Sequence, residues 1–526
     1  INIKKGQTAF VFSLIFLSLT SPNEAYRVLV SFPMASPSHT ILGRGIVNNL
    51  LEAGHEVVFI TSFPKENSVF NLKEINVMNV SNEINKELGD SGFKIKDLVG
   101  RANVADRFAF MYFVYAFNKK LLEHEMMTKF LSDPDEKFDA VVLEWFFSET
   151  VAGIAPLFQC PLIWLGSTEV HGQILRVIDE VPNPAYNTDL MSTNVPPFTF
   201  WQRVVELYSA VRRQFIVNFI IAPFEKAIYN DVFPKIAAKR GVSMPSYEEA
   251  IYNASLMLVN SDPSVGIAFR LPQNVKYIGG YHIDGKVKPL PEDLQMLMDT
   301  SKNGVVYFSM GSNLKSVDMT DKMKETFLKV LGNLKQDVIW KFEGELKDVP
   351  KNIHLKKWAP QQSILAHPNL KLFITHGGQL SITECVYFGV PIVGLPVLGD
   401  QFVNLKAVET KGYGIMVELG DDIAEELTAA VNKVLKNPEY KTKAKYLSSI
   451  FHDRLVPPGK ELVHWIEHVV RTKGAPHLRS KAILLSWYQK FYVDGICLLL
   501  LIILIVYKSL KCMFKKGQNV GKIKVN

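Results

Sequence analysis

Two stretches of this chain hold residue types that could hold an anion or move a proton. Within residues 358–401, the apolar, β-branched run Leu370–Thr375 suits a buried parallel strand. It ends in His376-Gly377-Gly378, where two glycines let the backbone turn tightly and approach a ligand. Residues 381–388 read as a helix whose N-terminus faces that turn. Free N–H groups and the positive end of the helix dipole make such a point an anion site, most often for phosphate. Residues 390–396 form the next strand, and Gly399-Asp400-Gln401 follows it. The second stretch is the loop 33–39, which follows the strand 26–32 and carries His39. An imidazole near its ordinary pKa takes a proton from a hydroxyl at neutral pH. Another strand, 138–146, leads to the acid Glu144. Asp139 is a rival acid, but it stands at the strand's start, away from the ligand edge.

These groups need elements that gather strand ends. The strand 26–32, a helix through Leu51 and the strand 56–61 make a βαβ unit, with His39 at the carboxyl end where open α/β sheets bind ligands. His55 is an ordinary turn residue. Residues 256–260 and 275–278 read as the closing strands of a first domain, and 282–292, with Gly285, Pro289 and Pro291, as a linker. Residues 304–312 open a second domain as a strand running into a small-residue turn, whose amides can form an anion nest. The 526 residues suffice for two domains of ordinary size.

The ordered set Trp358, Gln361, His376-Gly377-Gly378, Ser381, Glu384, Pro391, Pro396 and Asp400-Gln401 resembles, in order and spacing, the signature of the UDP-glycosyltransferases. The resemblance runs from about Tyr26 to the C-terminal tail and is closest to the membrane-bound animal, and within it the invertebrate, branch. It implies an α/β fold of two Rossmann-like domains facing a cleft, the GT-B arrangement, with a C-terminal single-pass transmembrane helix. It implies that Trp358 stacks on uracil and Gln361 contacts the nucleoside, with Ala359 between them. His376, Gly377, Gly378 and the amides near Ser381 would hold the diphosphate, against the turn carrying Ser309, Gly311 and Ser312. Glu384 would accept the ribose hydroxyls, and Asp400 and Gln401 would bind the sugar. His39 matches the catalytic base. Its partner in the family is an Asp; here Glu144 stands in that place, and the extra methylene requires His39 to sit farther away or its helix to shift. Leu380 occupies a position where many relatives carry Asn, and Leu455 one where Pro is common. The implied reaction is inverting transfer of a hexose, glucose by resemblance to invertebrate members, from a UDP-sugar to a hydroxyl of a small lipophilic acceptor. Glucuronosyl transfer, a phosphorylase or glycolipid synthase on the same fold, and a non-catalytic binder of apolar molecules are the alternatives. No cofactor and no metal ion are expected, the UDP-sugar being a co-substrate.

The domain plan is a signal peptide (1–25), the acceptor domain (26–283), the UDP-sugar domain (284–445), crossing helices (446–486), a transmembrane helix (487–507) and a basic cytoplasmic tail (508–526). Lys4 and Lys5, an apolar core from Ala9 to Leu19 and a small residue at Ala25 fit a signal peptide. Ile496 to Val506 is wholly apolar, and the lysines that follow remain cytoplasmic, which puts the catalytic domains in the lumen of the endoplasmic reticulum. The ending Lys522-Ile-Lys524-Val-Asn526 resembles a dilysine retrieval signal; a basic tail on anionic lipid is its rival. Asn79 and Asn253 head glycosylation sequons. A hydrophobic share of 48% suits membrane segments, and much of the formal net charge of +7 lies in the tail, so no nucleic-acid partner is expected. Self-association is open. Four cysteines are too few for a disulfide scaffold. The aromatic stretches 108–117 and 198–224 read as helices lining an apolar acceptor pocket, the second, with Arg203, Arg212 and Arg213, able to touch a membrane.

Overall fold

The structure is a computed structural model that describes residues 24–88, 94–99, 107–178, 180, 182–189, 192–283 and 285–523. Residues 1–23 of the expected signal peptide and 524–526 of the dilysine ending lie outside them. Thirteen strands form two parallel sheets. The first contains β1 (Arg27–Phe32), β2 (Glu56–Thr61), β3 (Leu72–Asn76), β4 (Ala140–Trp145), β5 (Leu162–Gly166), β6 (Leu256–Val259) and β7 (Val275–Tyr277). Its order is β3-β2-β1-β4-β5-β6-β7. The second contains β8 (Val305–Ser309), β9 (Asp337–Lys341), β10 (Ile353–Lys356), β11 (Leu370–Thr375), β12 (Ile392–Gly394) and β13 (Gly414–Met416), in the order β10-β9-β8-β11-β12-β13. β1, β4, β8 and β11 are apolar nearly throughout because helices cover both faces of each sheet. Each sheet therefore has two apolar clusters, one per face.

In each sheet the strand order reverses once, between β1 and β4 in the first and between β8 and β11 in the second. The carboxyl ends of such neighbours open a crevice. The chain after β1 leads to His39, β4 carries Glu144, the turn after β8 is 309–312, and β11 runs into His376. Topology alone thus brings the chemically suited residues to the two crevices.

Three expectations are corrected. His39 lies within a helix, Pro37–Glu52, as its third residue, because Pro37 at the first helical position starts the helix early. Beyond Gln401, where the sequence suggests helices to about Thr442, the chain also contributes the edge strand β13. The helix expected to end at Phe224 continues as a rod through Phe200–Ile216, a π-turn at Val217–Ile221 and Ala222–Arg240. Thr199 and Gln202 form a capping box at its start. Phe200, Trp201, Tyr208, Phe215 and Phe219 stand exposed along it.

The helices Pro438–His452 and Pro458–Arg471 return over the body, so residue 446 falls inside a helix. Arg454 on their connection pairs with Asp262 at 2.5 Å. The chain divides into two compact units, one ending at Leu478 and one beginning at Arg479. The second holds the helix Val493–Ile523, whose segment Val493–Phe514 is 22 residues long with mean hydropathy 2.3, long and apolar enough to cross a membrane. That segment starts later than Trp487, and the helix continues through Lys508 and Lys511.

Candidate active site

Glu144 is buried in β4, and its Oε1 lies 2.5 Å from His39 Nδ1. The extra methylene of Glu is accommodated, since the contact is made. With Nδ1–H donating to the carboxylate, Nε2 is left as the basic nitrogen. Phe146 packs edge-on against the imidazole, ring centroids 4.5 Å apart. Burial would lower the His39 pKa, but the Glu144 charge, its hydrogen bond and the Asp400 charge outweigh that and raise it above 6.5. Asp139 instead accepts from the Arg27 amide at 2.7 Å, at the start of β1 and far from the crevice end.

The second sheet supplies a ring held between glycines. A Cβ on Gly311, which has φ +86°, would come within 2.5 Å of His376, and one on Gly378 would meet the same ring at 2.5 Å. His376 Nδ1 has no protein partner. Burial, and then the nearby Lys341 charge, push the His376 pKa down to about 4, so the ring is neutral. It can donate a hydrogen bond but carries no charge. Gly377, also at φ +86°, turns tightly over Leu405, and its carbonyl accepts from Asn404 Nδ2 at 3.0 Å. Gly378 caps the helix Gln379–Phe388 without any side chain, leaving its first N–H groups open. Ser309 Oγ accepts the Gly311 amide at 3.2 Å and shapes that turn, with Ser312 beside it.

Glu384 gathers two side-chain amides. Gln361 Nε2 donates to it at 2.6 Å and Gln362 Nε2 at 3.1 Å, and Gln361 also donates to Ser381 Oγ at 3.2 Å. Ala359 is buried below, while Trp358 is 62% exposed and offers a free ring face. Asp400 accepts from Asn404 Nδ2 at 2.9 Å, and burial raises its pKa. Gln401 follows Asp400 and lines the same cleft. Its Oε1 accepts the amides of Val397 and Leu398 at 2.8 and 3.1 Å, so the side chain braces the loop before Asp400.

A cleft of about 1590 Å³ is lined by His39, Ser309, Trp358, His376, Glu384 and Asp400 together. Both crevices open into it, and a polar contact ties them: Ser36 Oγ donates to Asn313 Oδ1 at 3.0 Å, and Asn313 Nδ2 to Ser38 Oγ at 3.3 Å. Leu380, in place of an amide, packs against the apolar cluster of the first sheet. Asn79 and Asn253 are exposed.

Sequence reading missed Lys341, which ends β9, donates to Gly311 O at 2.9 Å and to Glu343 at 2.7 Å, and lies 5.5 Å from the Trp358 ring centre. Its place at the carboxyl end of a strand beside the reversal point is the signal that marks it. Also missed was Glu169, on the loop after β5. It accepts from Gln379 Nε2 at 2.6 Å and from Ser261 Oγ, tying the first lobe to the start of the helix Gln379–Phe388. Asp262, Arg454 and Lys411 surround it. Burial, against the hydrogen bonds from Ser261 and Gln379, pushes its pKa up from 4.5 to about 7. The folded protein then holds a proton that the unfolded chain has released, so this group makes stability fall as pH rises between 4.5 and about 7. Glu169→Gln keeps a carbonyl acceptor for Gln379, lets its amide donate to Ser261 Oγ, and removes the titration. Thermal unfolding of the variant is expected to match the parent near pH ~4.5 and to exceed it near pH ~8; parallel curves at both would refute the role.

Paired parallel sheets with reversal points facing one cleft define the GT-B class of glycosyltransferases. The solved structure of LpCGTa in complex with UDP superposes with TM-score 0.54 at 16% identity, over 85% of this chain and 99% of that one. The glycotransferase of kitacinnamycin superposes with TM-score 0.53 at 17% identity, over 86% and 100%. The sequence profile described as UDP-glucoronosyl and UDP-glucosyl transferase matches residues 27–525, and the chain belongs to that family. UDP-glucosyltransferase 2 of Dactylopius coccus is 30% identical over 92% of both chains. UDP-glucuronosyltransferase 1A3 of Homo sapiens is 29% identical over 96% of this chain and 95% of its own.

Proposed function

We propose that this protein transfers glucose from UDP-glucose to a hydroxyl of a small lipophilic acceptor, with inversion at the anomeric carbon. The observation that carries the reading is the His39–Glu144 pair at 2.5 Å, in one cleft with His376, Glu384 and Asp400. The acceptor hydroxyl gives its proton to His39 Nε2 as its oxygen bonds to the anomeric carbon. The bond from that carbon to the phosphate oxygen breaks on the opposite face, and UDP leaves with the electron pair. Glu144 stabilises the imidazolium that forms. The charge developing on UDP meets the open amides after Gly378, a hydrogen bond from neutral His376 and the Lys341 cation. Fixed dipoles and this cation supply the leaving-group stabilisation, so the reading invokes no metal and no cofactor.

In this reading Trp358 stacks on uracil, Gln361 contacts the nucleoside, Glu384 accepts the ribose hydroxyls and Asp400 the sugar hydroxyls. Glucose over glucuronate is supported by the name of the Dactylopius relative. The helix Val493–Ile523 anchors the protein in the endoplasmic-reticulum membrane, with the catalytic unit lumenal and Asn79 and Asn253 open to glycosylation. Incubating the membrane-held protein with equal UDP-glucose and UDP-glucuronate and a panel of phenols, followed by mass spectrometry, tests the reading. Hexosides of β configuration support it; hexuronides as the main product replace glucose with glucuronate, and no glycoside from either donor overturns it.

A further inference from the structure

The part of the cleft that belongs to the first lobe is walled by Phe113, Trp145, Phe146, Phe147, Val217 and Ile221. Among the polar groups that share this wall, Tyr115 and Arg176 each carry a buried donor atom without a partner. The Tyr115 hydroxyl is buried beside Val217 and Ile221 and has no hydrogen-bond partner among the described residues. Arg176 Nε is likewise buried without a partner, although the same guanidinium pairs with Glu149 at 2.7 Å. Both residues line the cleft, and Tyr115 lies within electrostatic reach of Arg176. Buried donors without partners are rare, and where they face a cavity the partner is brought by the occupant.

The charge around these donors is nearly balanced. Arg176 is neutralised by Glu149. Glu225 behind them takes hydrogen bonds from Ser148 Oγ at 2.5 Å, the Glu149 amide at 2.9 Å and Tyr247 OH at 2.6 Å. Burial, and then the Glu149 charge, raise its pKa to about 8, so it holds its proton at neutral pH. Burial, with Glu225 and Glu149 adding to it, also raises the Tyr115 pKa, so that hydroxyl stays a donor. At these two donors the only cation is Arg176, already paired with Glu149, so a carboxylate gains little beside them, whereas a neutral oxygen finds two donors.

We infer that the acceptor is a lipophilic alcohol or phenol with a second, neutral oxygen acceptor, a ketone or ether, remote from the hydroxyl that is glycosylated, and that Tyr115 and Arg176 bind this second oxygen. The inference rests on the proposed function for the identity of the cleft's occupant. The test uses the full-length protein in detergent with UDP, and matched phenols with and without a distal ketone, the ketone placed at graded distances. Dissociation constants are read by quenching of tryptophan fluorescence, and turnover with UDP-glucose is measured beside them. The parent protein is expected to bind at least one ketone about tenfold more tightly than its ketone-free match, and Tyr115→Phe, which removes one oxygen atom, to bring that ratio close to one. UDP affinity in the variant is expected to be unchanged, which separates loss of this contact from misfolding. Equal binding of every matched pair by the parent, or a preference that survives in Tyr115→Phe, overturns the inference. Binding discrimination without turnover leaves it standing and removes the catalytic reading instead.

Discussion

His39→Ala is expected to lower glucosyl transfer by about 10²–10⁴-fold, the usual contribution of a positioned general base. UDP affinity should stay within about twofold, because His39 comes from the first lobe while the nucleotide groups lie on the second. A pH profile sharpens the test. The base works only when unprotonated, so kcat/KM of the parent should fall as pH drops through a pKa above 6.5, the direction set by Glu144 and Asp400 against burial. Glu144→Gln removes the largest raising influence and should move that limb to lower pH while cutting turnover. Calorimetric titration with UDP and steady-state rates across pH check both halves. A variant without the imidazole that still turns over at the parent rate would exclude His39 from the chemistry.

Glu384→Ala is expected to weaken UDP binding by about 10–100-fold, the range for losing hydrogen bonds to a charged group. Two effects combine. The ribose loses its proposed carboxylate, and Gln361 and Gln362 lose the acceptor that now orients them. Turnover at saturating donor should suffer far less, because His39 and Glu144 are untouched. Titration calorimetry with UDP is the measurement. Unchanged affinity would place the ribose elsewhere and undo the assignment of the nucleoside end.

Much of this site was legible because its determinants are local. Glycines after an apolar strand, as in His376-Gly377-Gly378, announce a turn at a crevice, and the spacing to Asp400 follows from one helix and one strand. What escaped was either ambiguous or remote. Pro37 looks like a loop residue yet is suited to the first position of a helix, so His39 was placed one element too early. β13 is three residues long and opens with glycine, too short for an alternation pattern to register. Glu169 and Gln379 are 210 positions apart, and only packing of one lobe on the other joins them. Gln401 also braces the loop before Asp400 through its carbonyl oxygen, a use that sequence spacing does not show.

The aromatic row on the rod from Phe200 to Phe219 bears on how the protein must be handled. The row belongs to the unit that ends at Leu478, so removing the apolar helix beyond it leaves these rings in place, with Trp201 73% and Phe219 68% exposed. Rings of this size left facing water drive molecules to stick to one another. A truncated preparation therefore still requires mild surfactant or lipid nanodiscs, and polar replacements along that row are the direct route to a crystallisable enzyme.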